Sequence, residues 1–275
     1  MKTLLAAFLI VTPLTQDEEA KKARVGEILK VMAQAKKEAG GDKAKELEAQ
    51  RKLLPQIQEL QKLIQDIAGP DREKQSAVFQ SLMEKYIPEE AAAERVKSNE
   101  RNATAALMWI GTAQAEFRAN DPGGNDVASF WVGDVSGLHR IRKKDGKAAD
   151  LVEDRIARAD ARPLLAMDSE GKPSKAETVY FLRAGPAEAR AGYLFVTIVS
   201  YEAGDGMLRA YDSGGGRNAT RYGVCAYPSE YGKGGNTTFI KNEAARPSMW
   251  KKDTDGKPPT VFPADPKKDG WQPVE

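Results

Sequence analysis

The chain has a single cysteine, Cys225, and a single histidine, His139, among its 275 residues. One cysteine excludes an intrachain disulfide and any zinc site built on cysteines. One histidine excludes a Ser–His–Asp triad unless His139 itself serves as the base. A lone histidine with no second histidine or cysteine at ligand spacing is more often a packing or surface residue than a catalytic one. These two counts exclude more chemistry than any motif in the chain supports.

Net charge is also nearly absent. The chain carries 42 Lys and Arg residues against 40 Asp and Glu residues, which leaves +2 at pH 7. So small an imbalance provides no electrostatic argument for nucleic acid, and we expect no nucleic-acid partner. The length is sufficient for one large domain or two small ones with a substantial core.

The chain lacks a long apolar segment, and its first residues are typical of an export signal. Lys2 precedes the apolar residues 4–11, Pro13 closes them, and the polar residues 16–19 follow. An apolar stretch of this length is too short to span a bilayer, and the arrangement predicts a secretory signal peptide over residues 1–15. The expected location is therefore periplasmic or extracellular. The alternative is an uncleaved N-terminal anchor, which would be the only contact of the protein with a membrane.

Residues 16–88 consist mainly of strong helix formers and contain few aromatic residues. Apolar stripes at helical spacing predict three helices. Gly40-Gly41 follows the first, and Pro55 lies inside the second, where it indicates a kink or a helix that starts just before it. Such helices with narrow apolar faces form a hairpin or a small bundle. Two roles fit this arm, a dimerising coiled coil or a helical cap on its own domain, and the cap is favoured because the heptads do not persist.

Residues 89–275 are predicted to form an α+β domain in which a long central helix packs on an antiparallel sheet. The helix is recognised from about residue 95, and residues 121–126, which include Pro122 and two glycines, end it. Its inward face is marked by apolar or small residues at a spacing of three and four, namely Ala103, Ala106, Leu107, Ile110, Gln114 and Phe117. Strand-like segments rich in β-branched and aromatic residues are residues 130–132, 178–182, 193–201, 222–227 and 237–240.

No group of side chains has the spacing of a catalytic, cofactor or metal site, and we assign none. Asp121, Asp126 and Asp134 are the carboxylates that acid–base chemistry would use if the protein were a hydrolase. The glycine-rich segments 212–217 and 232–235 lack the order of a phosphate-binding loop and are expected to be hairpin tips. The four tryptophans are expected in the core rather than in a sugar-binding platform; they are Trp109, Trp131, Trp250 and Trp271.

Two parts of the chain resemble known bacterial proteins. Segments 99–107 (NERNATAAL) and 112–117 (TAQAEF) resemble the region of pilin-like and pseudopilin-like proteins where the N-terminal helix enters the globular domain. A C-terminal block is similar to that of a bacterial extracytoplasmic family of unknown function that is frequent in planctomycete-type genomes; it comprises segments 226–232 (AYPSEYG), 238–243 (TFIKNE) and 250–253 (WKKD). The resemblance runs from about residue 99 to the end. It implies a pilin-like fold and an extracytoplasmic location, and no reaction.

One departure from the pilin pattern limits what the resemblance implies. A prepilin carries about twenty apolar residues that form the filament spine, whereas the apolar residues 4–11 are fewer and a charged helical segment follows them. The chain is therefore not expected to join a pilus through that spine. We expect a secreted or periplasmic, non-enzymatic protein with a structural or interaction role at the cell envelope, and with envelope or secretion-system proteins as partners. The alternative is a protein that binds a glycan or small molecule, or a hydrolase with a cleft beside the glycine-rich hairpins.

Overall fold

The structure is a computed structural model that describes residues 16–121, 127–141, 147–163, 187–212 and 215–274. The chain divides into two units, Met1–Glu94 and Arg95–Glu275, and the division falls inside one long helix, α5 (Pro88–Asn120). The predicted signal peptide and the predicted strand at 178–182 lie outside the described residues. A search of the helices in the described ranges finds none that is both long and apolar enough to cross a membrane.

The first unit, here called the helical unit, contains α1 (Gln16–Ala39), α2 (Lys43–Lys52), α3 (Leu54–Ala68) and α4 (Arg72–Tyr86). The second of the three predicted helices is thus two helices, because Pro55 lies in the first turn of α3, where a backbone N–H has no intrahelical partner to lose. Asp42 and Asp71 cap α2 and α4 by accepting hydrogen bonds from backbone N–H groups of the first turn.

The core of the helical unit is supplied by three of these helices. Its buried residues are Val25, Ile28 and Leu29 of α1, Leu60 and Ile64 of α3, and Leu82 of α4. Helix α2 contributes no buried residue, because its one large apolar side chain, Leu47, is exposed. The stability of the unit therefore depends on the packing of α1, α3 and α4.

The second unit, here called the α+β unit, contains most of α5, the short helices α6 (Gly137–Arg140) and α7 (Asp154–Arg158), and a set of strands. Helix α5 begins at Pro88, before the predicted start, because proline is accepted in a first helical turn and helix formers follow it. The strands are β1 (Phe130–Trp131), β2 (Tyr193–Thr197), β3 (Ser200–Glu202), β4 (Leu208–Ala210), β5 (Arg217–Asn218), β6 (Gly223–Pro228), β7 (Thr238–Asn242), β8 (Met249–Lys252), β9 (Val261–Phe262) and β10 (Gln272–Pro273).

The main sheet has the strand order β10-β8-β7-β6-β2, and every neighbouring pair in it is antiparallel. This confirms the predicted α+β class. Strand β3 pairs antiparallel with β4 and parallel with β9, and β1 pairs with β5. The predicted strand 193–201 is two strands, β2 and β3, because the chain changes partner there: Ile198 N–H bonds to Gly223 in the main sheet, whereas Ser200 N–H bonds to Thr260.

Helix α5 contributes the predicted face to the main core. Ala103, Leu107, Ile110 and Phe117 are buried in one cluster with residues of the main sheet such as Phe195, Cys225 and Ile240. Gln114 lies on the same face and is also buried. Its side-chain amide donates to the carbonyl of Trp131 and accepts the N–H of Trp131 at 3.0 Å, so a polar group in the core is satisfied and α5 is connected to β1.

Candidate functional site

Asp121, the first of the predicted acid–base candidates, directly follows the end of α5 and forms an ion pair with Arg217 of β5. Its Oδ1 lies 3.2 Å from Nη1 of Arg217. The Arg217 guanidinium also donates to Ser129 Oγ at 3.2 Å and lies 5.0 Å from the ring centroid of Phe117. These contacts attach the end of α5 to β5. Asp126, the second candidate, lies outside the described residues.

Asp134, the third candidate, is fully buried and both of its oxygens are occupied. Oδ1 accepts hydrogen bonds from Trp131 Nε1 at 3.0 Å and Gly137 N at 2.9 Å. Oδ2 accepts from Ser136 Oγ at 2.6 Å and Arg140 Nη2 at 2.7 Å. A carboxylate with two donors on each oxygen, one of them a guanidinium, is stabilised without water.

A second buried carboxylate, Asp160, borders the first and is not marked by the sequence. It accepts hydrogen bonds from the backbone N–H groups of Ser136 at 2.8 Å and Arg162 at 2.9 Å. Burial, followed by the charge of nearby Asp134, raises the pKa of Asp160 to about 6. The surrounding sequence RIARADAR resembles a charged surface segment. Asp160 is buried because its backbone forms a bridge to Phe195 of β2, which only the folded chain reveals.

Asp134, Ser136 and Asp160 form what we call the buried carboxylate network. A carboxyl group with a raised pKa beside a second carboxylate is an arrangement that acid–base catalysis can use. Here each carboxylate is at most 1% exposed, which prevents direct contact with a substrate. Of the candidate carboxylates, Asp121 binds Arg217 whereas Asp134 binds Arg140. The network connects the segment after β1 with the segment after α7.

The single histidine and the single cysteine both occupy packing positions. His139 Nδ1 lies 3.0 Å from the carbonyl of Val152 and 2.9 Å from Asp150 Oδ1. Cys225 is completely buried in β6, and this burial raises the pKa of its thiol, which keeps it protonated. Across the residues that the structure describes, no three His, Cys, Asp or Glu side chains are grouped so that they could hold a metal ion.

The side of α5 opposite the core carries large apolar side chains in solvent. Met108 is 56% exposed and Trp109 is 58% exposed, and the small exposed residues Ala105 and Thr112 lie beside them. These four residues are here called the outer face of α5. The expectation that Trp109 is a core residue is wrong. With 3.6 residues per turn, a helix that points Leu107 and Ile110 inward points residues 108 and 109 outward.

A polar groove of about 520 Å³ lies within the α+β unit, between the N-terminal half of its α5 segment and strands β7, β8 and β10. Its charged side chains are Lys97, Glu100, Arg101, Lys251, Lys252 and Asp253. Asp253 accepts a hydrogen bond from the Tyr231 hydroxyl at 2.7 Å, and Glu100 accepts one from the N–H of Asn236 at 3.2 Å. Cations outnumber carboxylates, so the groove is electrostatically suited to an anion.

Comparisons with protein-family models, with curated proteins and with solved structures returned no significant match.

Proposed function

We propose that the protein is a secreted or periplasmic, non-enzymatic interaction module whose pilin-like α+β unit binds a partner protein of the cell envelope through the outer face of α5. The observation that carries this proposal is the exposure of Met108 and Trp109, side by side, on a helix whose opposite side is in the core. The signal-like residues 1–15 support the location.

The physical argument is the cost of leaving these side chains in water. Apolar surface is disfavoured in water by about 25 cal/mol per Å², and an aromatic side chain buries roughly 150–250 Å² when it is covered. Large contiguous apolar patches on the surface of a folded domain mark interaction surfaces, and tryptophan is enriched among residues that dominate binding energy. The neighbouring side chains of Ala105 and Thr112 are short and exposed, so they do not themselves cover Met108 and Trp109.

The carboxylates favour a role without catalysis. Asp134 and Asp160 are buried in a network that positions backbone, and Asp121 holds the end of α5 through Arg217. Each of these three side chains has a structural partner, so a structural role accounts for the carboxylates that the sequence and the fold bring to attention.

The test compares two equally simple variants in the full-length protein. Trp109→Ser removes the central apolar side chain of the outer face, whereas Leu208→Ser removes a side chain that is 64% exposed on β4. Native electrophoresis of envelope extracts should show the wild type in a complex larger than the monomer. Trp109→Ser should shift the protein to the monomer and Leu208→Ser should not. A complex that both variants retain would overturn the proposal.

The location is tested separately by fractionation of cells and sequencing of the mature N-terminus. We expect the protein outside the cytoplasm with its first residues removed near position 15. Recovery of the chain in the cytoplasm with Met1 intact would contradict the extracytoplasmic assignment.

A second candidate function, the binding of an acidic glycan or small molecule, is favoured by the polar groove. Lys97 and Lys251 contribute cations to it from α5 and β8. Titration with oligogalacturonate should show binding that weakens as salt rises and that is lost in the Lys97→Ala/Lys251→Ala double variant. Lys267→Ala, which changes a lysine that does not line the groove, is the matched control. Binding that is insensitive to the double substitution would exclude the groove.

A further inference from the structure

Charged side chains extend the outer face of α5 at both of its ends. Arg101 lies four residues before Ala105, and Glu116 lies four residues after Thr112, and both are exposed. The resulting set is symmetric about the point between Met108 and Trp109. We call it the extended outer face of α5; it consists of Arg101, Ala105, Met108, Trp109, Thr112 and Glu116.

These side chains form one continuous strip. At 3.6 residues per turn they fall within an arc of about 100°, on the side opposite Leu107, Ile110 and Phe117. At a rise of 1.5 Å per residue the strip is about 22 Å long. Side chains at both its ends and at its centre are exposed.

Because the strip is symmetric, it is complementary to the same strip of a second copy whose α5 runs in the opposite direction. In that orientation the small residues Ala105 and Thr112 of the two copies face each other, which allows the backbones to approach closely. Met108 of each copy then contacts Trp109 of the other, and a thioether against an aromatic ring is a favourable pair. Arg101 of each copy faces Glu116 of the other.

A parallel second copy does not fit the same strip. In a parallel pair Arg101 faces Arg101 and Glu116 faces Glu116, so like charges meet at both ends. Like charges that face each other across a helix pair are destabilising, whereas unlike charges stabilise and select the orientation. The charge order along α5 therefore favours the antiparallel arrangement.

We propose that two copies of this chain associate in antiparallel orientation through the extended outer face of α5, as an isologous pair with its two-fold axis between Met108 and Trp109. This inference rests on the proposed function, because it names the partner of the outer face. The contact is short compared with a standard protein interface, so the dimer is weak and depends on concentration.

Sedimentation equilibrium of the purified full-length protein, from about 1 µM to about 1 mM, tests the association. The wild type should dimerise, and Trp109→Ala should weaken the dimer at least about 10-fold. Arg101→Glu and Glu116→Arg each place like charges at both ends of the pair and should raise the Kd about 3- to 30-fold. The double variant Arg101→Glu/Glu116→Arg restores both pairs and should return the Kd to within about 3-fold of wild type.

Two matched controls separate the strip from other surfaces. Lys251→Ala changes the polar groove, which Arg101 also lines, and Leu208→Ser removes another exposed apolar side chain. Both should leave the Kd unchanged. A chain that stays monomeric over the whole range, or single charge reversals that leave the Kd unchanged, would overturn the proposal.

Cysteine cross-linking tests the orientation. The native Cys225 is completely buried and does not interfere. An oxidised mixture of Ala105→Cys and Thr112→Cys chains should form the mixed disulfide in preference to either homodimer. Preferential linkage of Ala105→Cys to itself indicates a parallel pair and would reject the antiparallel arrangement.

The homodimer proposal and the proposal that the outer face of α5 binds a partner can fail independently. If the purified chain is monomeric while its complex in envelope extracts still depends on Trp109, the outer face of α5 binds a different protein and only the homodimer is wrong. If neither association depends on Trp109, both proposals are wrong.

Discussion

Phe117→Ala is the substitution that most directly tests the packing of α5 in the main core. Phe117 is completely buried. Its ring lies 6.1 Å from the ring of Trp131 and 5.0 Å from the guanidinium carbon of Arg217. The variant loses the burial of the ring, leaves a cavity, and loses both of these contacts.

These losses place the expected cost near the upper end of the range for such substitutions. Phe→Ala in a core costs about 3–5 kcal/mol, and the ring pair and the cation–π contact each contribute about 0.5–1.5 kcal/mol to that figure. We expect about 4–5 kcal/mol, a large part of the roughly 5–15 kcal/mol by which a domain is stable. At about 2–4 °C per kcal/mol for a domain of this size, the melting temperature should fall by about 8–20 °C.

Tryptophan fluorescence during urea unfolding is the assay, because all four tryptophans lie in the α+β unit and none lies in the helical unit. Asp121→Asn is the control. It keeps a residue that tolerates the positive φ of 39° at this position and removes the negative charge that pairs with Arg217. It should cost about 1 kcal/mol. A Phe117→Ala variant within about 1 kcal/mol of wild type, or equal losses for the two variants, would refute the packing argument.

Three further substitutions test other parts of the structure. Burial, followed by the charge of Asp134, raises the pKa of Asp160 from 3.8 to about 6. The protonated Asp160 side chain therefore contributes its full stabilisation below about pH 4, and this contribution is lost as the pH rises through 6. In urea titrations, the free energy of unfolding of the wild type should fall by about 2–3 kcal/mol between pH 4 and 7, and that of Asp160→Asn should not show this fall. Gly137→Ala should cost about 2–3 kcal/mol in the same assay, because its Cβ would overlap Trp131 Nε1 and Asp134 Oδ1; a neutral result would contradict the tight network. Leu82→Ala should destabilise the helical unit by about 2–4 kcal/mol, detected by far-UV circular dichroism, with a smaller change in the tryptophan transition; equal shifts in both signals would contradict a core confined to that unit.

The sequence alone determined the α+β class and the inward face of α5. Ala103, Leu107, Ile110 and Phe117 recur at three- and four-residue spacing, and this period specifies which side of a helix is apolar before any tertiary contact exists. Pro55 likewise indicated either a kink or a helix that starts just before it, and the second alternative is what α3 shows, because the missing N–H is a local property of the residue. Signals of this kind depend on neighbours along the chain, so the sequence contains them completely.

Tertiary structure decided the environment of the polar and aromatic side chains. Asp160 stands in a charged segment, yet the bridge to Phe195 and the hydrogen bonds from Ser136 and Arg162 make it a buried carboxylate. Gln114 occupies a core position because the backbone of Trp131 satisfies its amide. Ser136 and Phe195 are distant in sequence from Asp160, and Trp131 is distant from Gln114. Composition does not reveal which distant group reaches a carboxylate or an amide.

Trp109 is the converse case, an apolar side chain that the fold leaves exposed. Tryptophan is buried on average, so composition placed Trp109 in the core. The spacing of Leu107 and Ile110 already indicates that Trp109 lies on the opposite side of α5. Spacing along the chain distinguishes the two sides of a helix, but the rest of the fold decides whether another segment covers the side with Trp109. In this protein no described segment covers that side enough to bury Met108 and Trp109, because the strands pack on the side that carries Leu107 and Phe117.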